Sequence, residues 1–361
     1  MAVTKVTPAG LTTSQIGRNL LINGAMTVYQ RGQQTAAASN QYSLDRWCWH
    51  QSSGEGGTKS QNTSVPSGSG FAFSYKYDVT TAAGSPGSAE FNIIEQRIEA
   101  QDLQHLLYGN AAAKTLVLSF WMSSPKSGTH CVALNAPDGG RSYIREFTVA
   151  SADTWEEFAI TFPGDTGGTI TNDTGVGLRV VFPLNVGSNY EATANQWASG
   201  EDFATSSGQN LLDSTSNNVF LTGCQLEVGD GVTNAPSDFE FEDYCTTLAK
   251  CFRYYERKTA GIADGEFLHG YNVTTTVFTG VLHYARKRAA PTLAFTAAGT
   301  FDIRHQTTTT NGSSGPGVSA GSDVNSSGIA LTVGSGLTAG EGSIMRRDGS
   351  DTAYIGISAE L

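Results

Sequence analysis

Hydrophobic residues in this chain come in short runs, separated by glycine, serine, asparagine and aspartate. That spacing predicts strands and turns rather than long helices. Between residues 19 and 244 it predicts strands at 19–26, 71–77, 115–122, 129–134, 143–149, 156–162, 177–182 and 218–227. The period of two is clearest at Phe71, Phe73, Tyr75 and Tyr77, which would share one face of a strand. The segment 115–122, "TLVLSFWM", is apolar in both phases, as a central strand between packed layers would be. By the same reading Trp47, Trp49 and Trp121 belong to the core. The runs 165–174 and 192–209 read as surface loops.

Two short helices interrupt the pattern. Leu103, Leu106 and Leu107 have helical spacing, with Gly109 as the expected C-cap. Phe241, Cys245, Leu248 and Phe252 predict a second helix starting near Asp238, with Ser237 or Asp238 as its cap. Beyond it the strand pattern resumes at 275–284, 291–296, 300–305, 328–333, 342–347 and 353–359. The Thr/Ser/Gly-rich stretch 305–325 reads as an exposed loop. Many of these later strands carry Thr, Ala and Gly, so their core looks thin, and an oligomer partner would complete it. The fold class is therefore mostly β. An arm at 1–18 leads into a β-sandwich at 19–244, followed by a smaller C-terminal β domain at 245–361.

Composition narrows the chemistry. Charged residues are 15% of the 361, and the net charge is −11. Such a surface repels phosphate backbones and anionic lipid, so neither nucleic acid nor membrane insertion is expected. The basic runs Arg286-Lys287-Arg288 and Arg346-Arg347 read as solvated strand ends. Near the N-terminus, "LLI" at 20–22 is too short for the core of a signal peptide. Five cysteines, with no paired spacing, predict free thiols rather than disulfides or a zinc site. No cofactor or metal is expected.

Catalytic groupings are weak. Asp45, Glu55, Asp138, Asp165, Glu201 and Asp202 fall in loops without forming the pair a glycosidase needs. Gly317-Val318-Ser319-Ala320-Gly321 matches a hydrolase nucleophile pattern, but no helix pattern follows it. The expectation is a protein that is not an enzyme. Binding is better supported. Sugars are held by aromatic faces, with amides and carboxylates bonding their hydroxyls. The run "GSNYEATANQW" at 187–197 offers Asn189, Tyr190, Asn195 and Trp197 in one polar loop. The alternative is that Trp197 merely anchors that loop on the sandwich.

An ordered set of stretches resembles phage tail-fibre and virion appendage proteins. They are "NLLINGAMTVYQRG" at 19–32, "YSLDRW" at 42–47, "IIEQRIEAQDLQHLL" at 93–107 and "TLVLSFWM" at 115–122. The long stretch 219–257, "ARKRAAPTLAF" at 285–295 and the closing Ser358-Ala359-Glu360-Leu361 complete it. The first unit also resembles jelly-roll carbohydrate-binding modules, which open on an Asn-Leu-Leu-x-Asn-Gly strand. That likeness implies an antiparallel two-sheet jelly roll closing on 220–227. Independently, the alternation of "CQLEVG" puts Gln225 and Glu227 on one face, where Glu227 would bond the turn at Asn23-Gly24. Ala25-Met26 stands where such modules often have an acidic residue, which argues against their structural calcium. The resemblance implies a tail fibre in the virion, assembled in the host cytoplasm as a homotrimer. The arm at 1–18 would dock on other virion proteins, and the sandwich would bind a host surface glycan during adsorption. The alternative is a head-decoration or capsid-attached fibre with a structural task. A polysaccharide depolymerase is the third reading.

Overall fold

The computed structural model describes residues 17–35, 39–52, 56–262, 265–349 and 352–361. Most of the proposed arm, and Glu55, lie outside them. The chain divides into two units, 1–247 with Leu361, and 248–360.

The first unit is a two-sheet antiparallel sandwich. Its strands are β1 (Gln41–Tyr42), β2 (Cys48–Gln51), β3 (Gly57–Asn62), β4 (Ser74–Val79), β5 (Phe91–Glu99) and β6 (Leu116–Ser123). They continue as β7 (Gly128–Ala136), β8 (Arg141–Val149), β9 (Trp155–Phe162), β10 (Val176–Val186), β11 (Trp197–Ser199) and β12 (Asn218–Val228). One sheet has seven strands, in the order β1-β2-β5-β10-β7-β8-β11. The other has five, β3-β4-β12-β6-β9. Successive strands repeatedly switch sheets, as in a jelly roll. Inward side chains interdigitate between the layers. Phe120 of β6 meets Phe158 of the same sheet at 5.4 Å, and Phe147 and Phe182 of the facing sheet at 5.3 and 5.0 Å. Trp47 and Trp49 are fully buried, as their phase predicts.

The segment 19–26 is not a strand. It is a chain of turns, with left-handed backbone at Asn23 (φ 61°) and Met26 (φ 59°). Short amide side chains hold it in place of a ladder. Asn19 Nδ2 donates to Cys224 O, and its Oδ1 accepts from Leu21 N and Leu226 N, each at 3.0 Å. Gln96 imitates a neighbouring strand: its Oε1 accepts from Ile22 N at 2.6 Å and its Nε2 donates to Ile22 O at 2.9 Å.

Other elements shift. Residues 100–106 form a 3-10 helix, and its left-handed cap is Leu107 (φ 56°), two residues before the expected glycine. The α-helix α1 (Tyr244–Phe252) starts later than predicted. Asp243 caps it, accepting from Thr246 N at 3.0 Å.

The second unit contains β13 (Tyr255–Thr259), β14 (Glu266–Asn272), β15 (Val277–His283), β16 (Thr292–Phe295), β17 (Phe301–His305), β18 (Thr308–Ser322), β19 (Ser326–Val333), β20 (Gly342–Arg347) and β21 (Tyr354–Ser358). Six of them close a barrel, β14-β15-β19-β18-β17-β20. Its interior holds Phe278, Phe301, Ile303, Ile329, Leu331 and Met345, all fully buried. The predicted loop 305–325 is instead mostly β18, and the serine pattern at 317–321 lies on that strand. Of the basic runs, Arg286 is exposed, but Lys287, Arg346 and Arg347 are buried rather than solvated. Lys287 is buried, donating to Phe252 O and to Glu256 Oε2 at 3.1 Å. Arg346 forks onto Asp302 at 3.0 and 3.2 Å.

Candidate functional site

The alternation of β6 decides where the site lies. Leu116, Leu118, Phe120 and Met122 fill the core, so Ser119 and Trp121 point out of the opposite face of the five-stranded sheet. Trp121 stands opposite Glu157 of β9 and Thr222 of β12. A bulge follows Thr222, and Gly223 there has φ 63°. A Cβ at Gly223 would lie 2.6 Å from the Phe71 ring and 3.1 Å from Trp121 Cδ1. Glycine thus serves twice here, for the left-handed bulge and for the close approach of two rings.

The pocket wall is the chain returning from β12. Glu227 fastens it, accepting from Ser237 N at 2.8 Å and from Ser237 Oγ at 2.6 Å. Gln225 Oε1 accepts from Glu240 N at 2.8 Å. The partner of Glu227 in the returning chain is thus Ser237, rather than the turn at Asn23-Gly24. The fastening brings Phe239 and Phe241 onto Phe71, with ring centroids 4.9–5.1 Å apart. Together these groups enclose a cavity of about 460 Å³, floored by Ser119 and Trp121 and walled by the three phenylalanines. Two of its lining hydroxyls are spent, Ser69 Oγ on Pro66 O and Ser237 Oγ on Glu227, which leaves Ser119 Oγ, Trp121 Nε1 and the carboxylates of Glu157 and Asp238. None of them has a hydrogen-bond partner among the described residues. An indole face, an unused N–H and unpaired carboxylates beside an apolar wall can stack a ring and bond its hydroxyls.

The four residues named from sequence are elsewhere, and none lines this cavity. Tyr190 stacks on Phe203 at 5.2 Å and meets Phe91 edge-on at 4.9 Å. Asn189 is exposed, with its backbone N–H on Ser88 O at 2.9 Å. Asn195 has left-handed backbone and accepts from Arg145 Nη1 at 2.8 Å. Trp197 sits on β11 opposite Tyr143, donates Nε1 to Pro163 O at 2.7 Å, and packs edge-on against Tyr108 and Tyr143. Its contacts anchor the 187–204 segment on the seven-stranded sheet. Trp121, assigned to the core from sequence, is the half-buried indole of the cavity. The usable signal was the phase: Ser119 and Ser123 lie two residues to either side of it.

The described loop carboxylates are structural. Asp45 accepts from Gln30 N at 2.8 Å and Gln30 Nε2 at 2.6 Å. Asp138 accepts from Thr171 N at 2.8 Å, and Asp165 from Arg141 Nε at 2.7 Å. Glu201 pairs with Arg179, and Asp202 accepts from Ser142 Oγ at 3.2 Å. Among the described residues, no group of His, Cys, Asp and Glu is arranged to hold a metal. No described helix is long and apolar enough to cross a membrane.

No family model matches the chain. No curated protein matches it either. Solved structures do. The enzymatically active domain of tailspike protein 4 from bacteriophage CBA120 is similar at 13% identity and a TM-score of 0.32, over 58% of this chain and 21% of that one. A putative sugar binding protein from Bacteroides thetaiotaomicron is 12% identical, with a TM-score of 0.32 over 58% of this chain and all of its own. A family 11 carbohydrate-binding module from Clostridium thermocellum, solved with a mixed-linked tetrasaccharide, is 10% identical, with a TM-score of 0.27 over 55% of this chain and 95% of its own. At such scores the likenesses fix neither a ligand nor a site residue.

Proposed function

We propose that this protein is a bacteriophage tail fibre or similar virion appendage that binds a host surface glycan during adsorption, through the Trp121 pocket. The observation that carries the binding reading is the half-buried indole of Trp121, with its N–H unused, beside the unpaired carboxylates of Glu157 and Asp238. Sugar rings present C–H faces to an indole and hydroxyls to carboxylates, and this pocket offers both. The virion assignment rests on the ordered set of stretches from 19 to 361. On this reading the protein works as a homotrimer, joins the particle in the host cytoplasm, and docks on other virion proteins through residues 1–18. Binding proceeds without cleavage: Glu157 and Asp238 are both open to solvent, whereas a general acid needs a carboxyl shielded from water.

The test is adsorption of the purified full chain to host cells and to arrayed host glycans. Trp121→Ala should lower binding about tenfold or more, because one buried aromatic anchor dominates small interfaces. Unchanged binding by that variant sinks the pocket assignment. Release of reducing sugar from the bound glycan sinks the non-catalytic reading. Antibody to this chain should mark the tails of intact particles; marked heads would favour head decoration.

A further inference from the structure

The outer face of the seven-stranded sheet carries a second cavity, of about 470 Å³, which shares no lining residue with the Trp121 pocket. Three neighbouring strands build its floor. Arg97 of β5 stands opposite Arg179 of β10, and Arg179 opposite Asn135 of β7. The three side chains therefore form one row on one face. Arg179 is 8% exposed and Asn135 2%.

Arg179 is only partly engaged. Its Nη1 reaches Glu95 Oε2 at 3.4 Å, its Nη2 bonds Glu201 and its guanidinium carbon lies 5.8 Å from the Phe203 ring centre, while the buried Nε has no hydrogen-bond partner among the described residues. Nε and Nη2 are parallel donors, an edge that matches the two oxygens of a single carboxylate. Glu201 uses one donor of that edge. Its side chain is 51% exposed and comes from the segment after β11, so it can swing into water. Beside this edge, Asn135 spends its Nδ2 on Asp202 O at 3.0 Å and leaves Oδ1 buried and unpaired among the described residues. A buried acceptor of that kind calls for a donor such as a hydroxyl. With Glu201 away, Arg179 keeps only Glu95 as a carboxylate partner, and it shares that carboxylate with Arg97 and His50.

We propose that this cavity binds the carboxylate of an acidic sugar residue, such as a uronic acid. The two ligand oxygens take the Nε–Nη2 edge of Arg179 in place of Glu201, and a ring hydroxyl donates to Asn135 Oδ1. A simple carboxylate satisfies the arginine alone, and a neutral sugar satisfies the asparagine alone. The hydroxylated carboxylate satisfies both. This site extends the glycan reading to acidic chains, but it rests on residues that the Trp121 pocket does not use.

The test is NMR titration of the full chain with methyl glucuronide, methyl glucoside and acetate. Glucuronide should bind at least about tenfold more tightly than either of the others, the worth of one charge-assisted bond. Glu201→Gln removes the competing anion and should tighten glucuronide several-fold. Arg179→Lys keeps the charge but loses the fork, and should weaken glucuronide about tenfold. Because Arg179 also holds Glu95, that variant is tested only if folded, and the surface variant Glu201→Gln carries the test otherwise. Equal affinities for the three probes, or a Glu201→Gln affinity like the parent's, would overturn the proposal. So would movement of the Trp121 indole signal during the glucuronide titration, which would place the ligand in the other pocket. A Trp121 indole that responds to no glycan at all would count against the pocket on the five-stranded sheet and leave this one standing.

Discussion

Replacing Asn23 by alanine tests how the turns at 19–26 hold the sandwich together. Asn23 is buried with left-handed backbone. Its Nδ2 donates to Val28 O and Asp45 O, each at 3.0 Å, and its Oδ1 accepts from Val28 N at 2.9 Å. Its carbonyl accepts from Trp47 Nε1 at 3.0 Å. Alanine removes the three side-chain bonds, with a longer one from Thr27 Oγ1 at 3.4 Å, and strands the Val28 amide and the Asp45 carbonyl, while Val28 O still accepts from Asp45 N at 3.2 Å. At about 1 kcal/mol per bond, that is ~3 kcal/mol. Alanine in the left-handed region costs about 1 kcal/mol more, where asparagine is tolerated. The expected loss is about 4 kcal/mol. Glycine at 23 accepts the backbone conformation, and should recover only the last of these, about 1 kcal/mol. The assay is urea unfolding followed by tryptophan fluorescence. All five tryptophans lie in the first unit, so the signal reports that unit by itself. With a urea slope of roughly 2 kcal/mol per molar, the alanine midpoint should fall by about 2 M. A change below about 0.5 kcal/mol would refute the reasoning. Full rescue by glycine would put the whole cost in the backbone, and would equally contradict it.

Three further outcomes follow from other parts of the molecule. Burial pushes the Glu95 carboxyl up, but the His50 hydrogen bond and the guanidiniums of Arg179 and Arg97 outweigh it and hold it at about 2, against an ordinary 4.5. Its folded pKa is depressed, so its stabilisation, of the order of 3 kcal/mol, is present above pH 4.5 and drains away as pH falls towards 2. Acid unfolding of Glu95→Gln should lack that slope, and a parental slope in the variant would contradict the network. Leu107→Gly relieves a left-handed cap on an exposed residue and should raise stability by about 0.5–1 kcal/mol in thermal unfolding; a loss would show that the leucine side chain matters more than its backbone. Cys245 is exposed and the other four cysteines are buried. A thiol reagent should therefore label one cysteine quickly in the native protein and five in denaturant. Rapid native labelling of a second thiol would contradict that burial.

Much of the sandwich was legible because period-two burial leaves a strong local mark. β6, β7, β8, β9, β10 and β12 all fall on predicted runs. The failures have physical causes. In the 19–26 segment three apolar residues imitate a strand, but Asn19 and Asn23 hydrogen-bond the backbone locally and turn the chain. β18 has little apolar signal, because its Thr, Ser and Gly residues are ordered by barrel neighbours rather than by a buried face of their own. The cavity was hidden for two reasons. A tryptophan among Leu, Val and Phe looks like core, and the wall that flanks it comes from Phe71, Phe239 and Phe241, far apart in sequence. The run 187–197 looked like a binding loop because its polar and aromatic residues are close in sequence. In the structure Asn195 and Trp197 spend their polar groups on fastening the loop.

The most direct test of the central claim is the indole N–H spectrum of the nitrogen-15-labelled full chain during titration with oligosaccharides from the host surface. Five indole signals are expected, one for each tryptophan, with Trp121 assigned by its loss in Trp121→Phe. Glycan binding in the proposed pocket predicts a saturable shift of the Trp121 signal, while Trp47, Trp49 and Trp197 stay in place. A Trp121 signal that stays fixed while the glycan binds, or while the Trp197 signal moves, would contradict it.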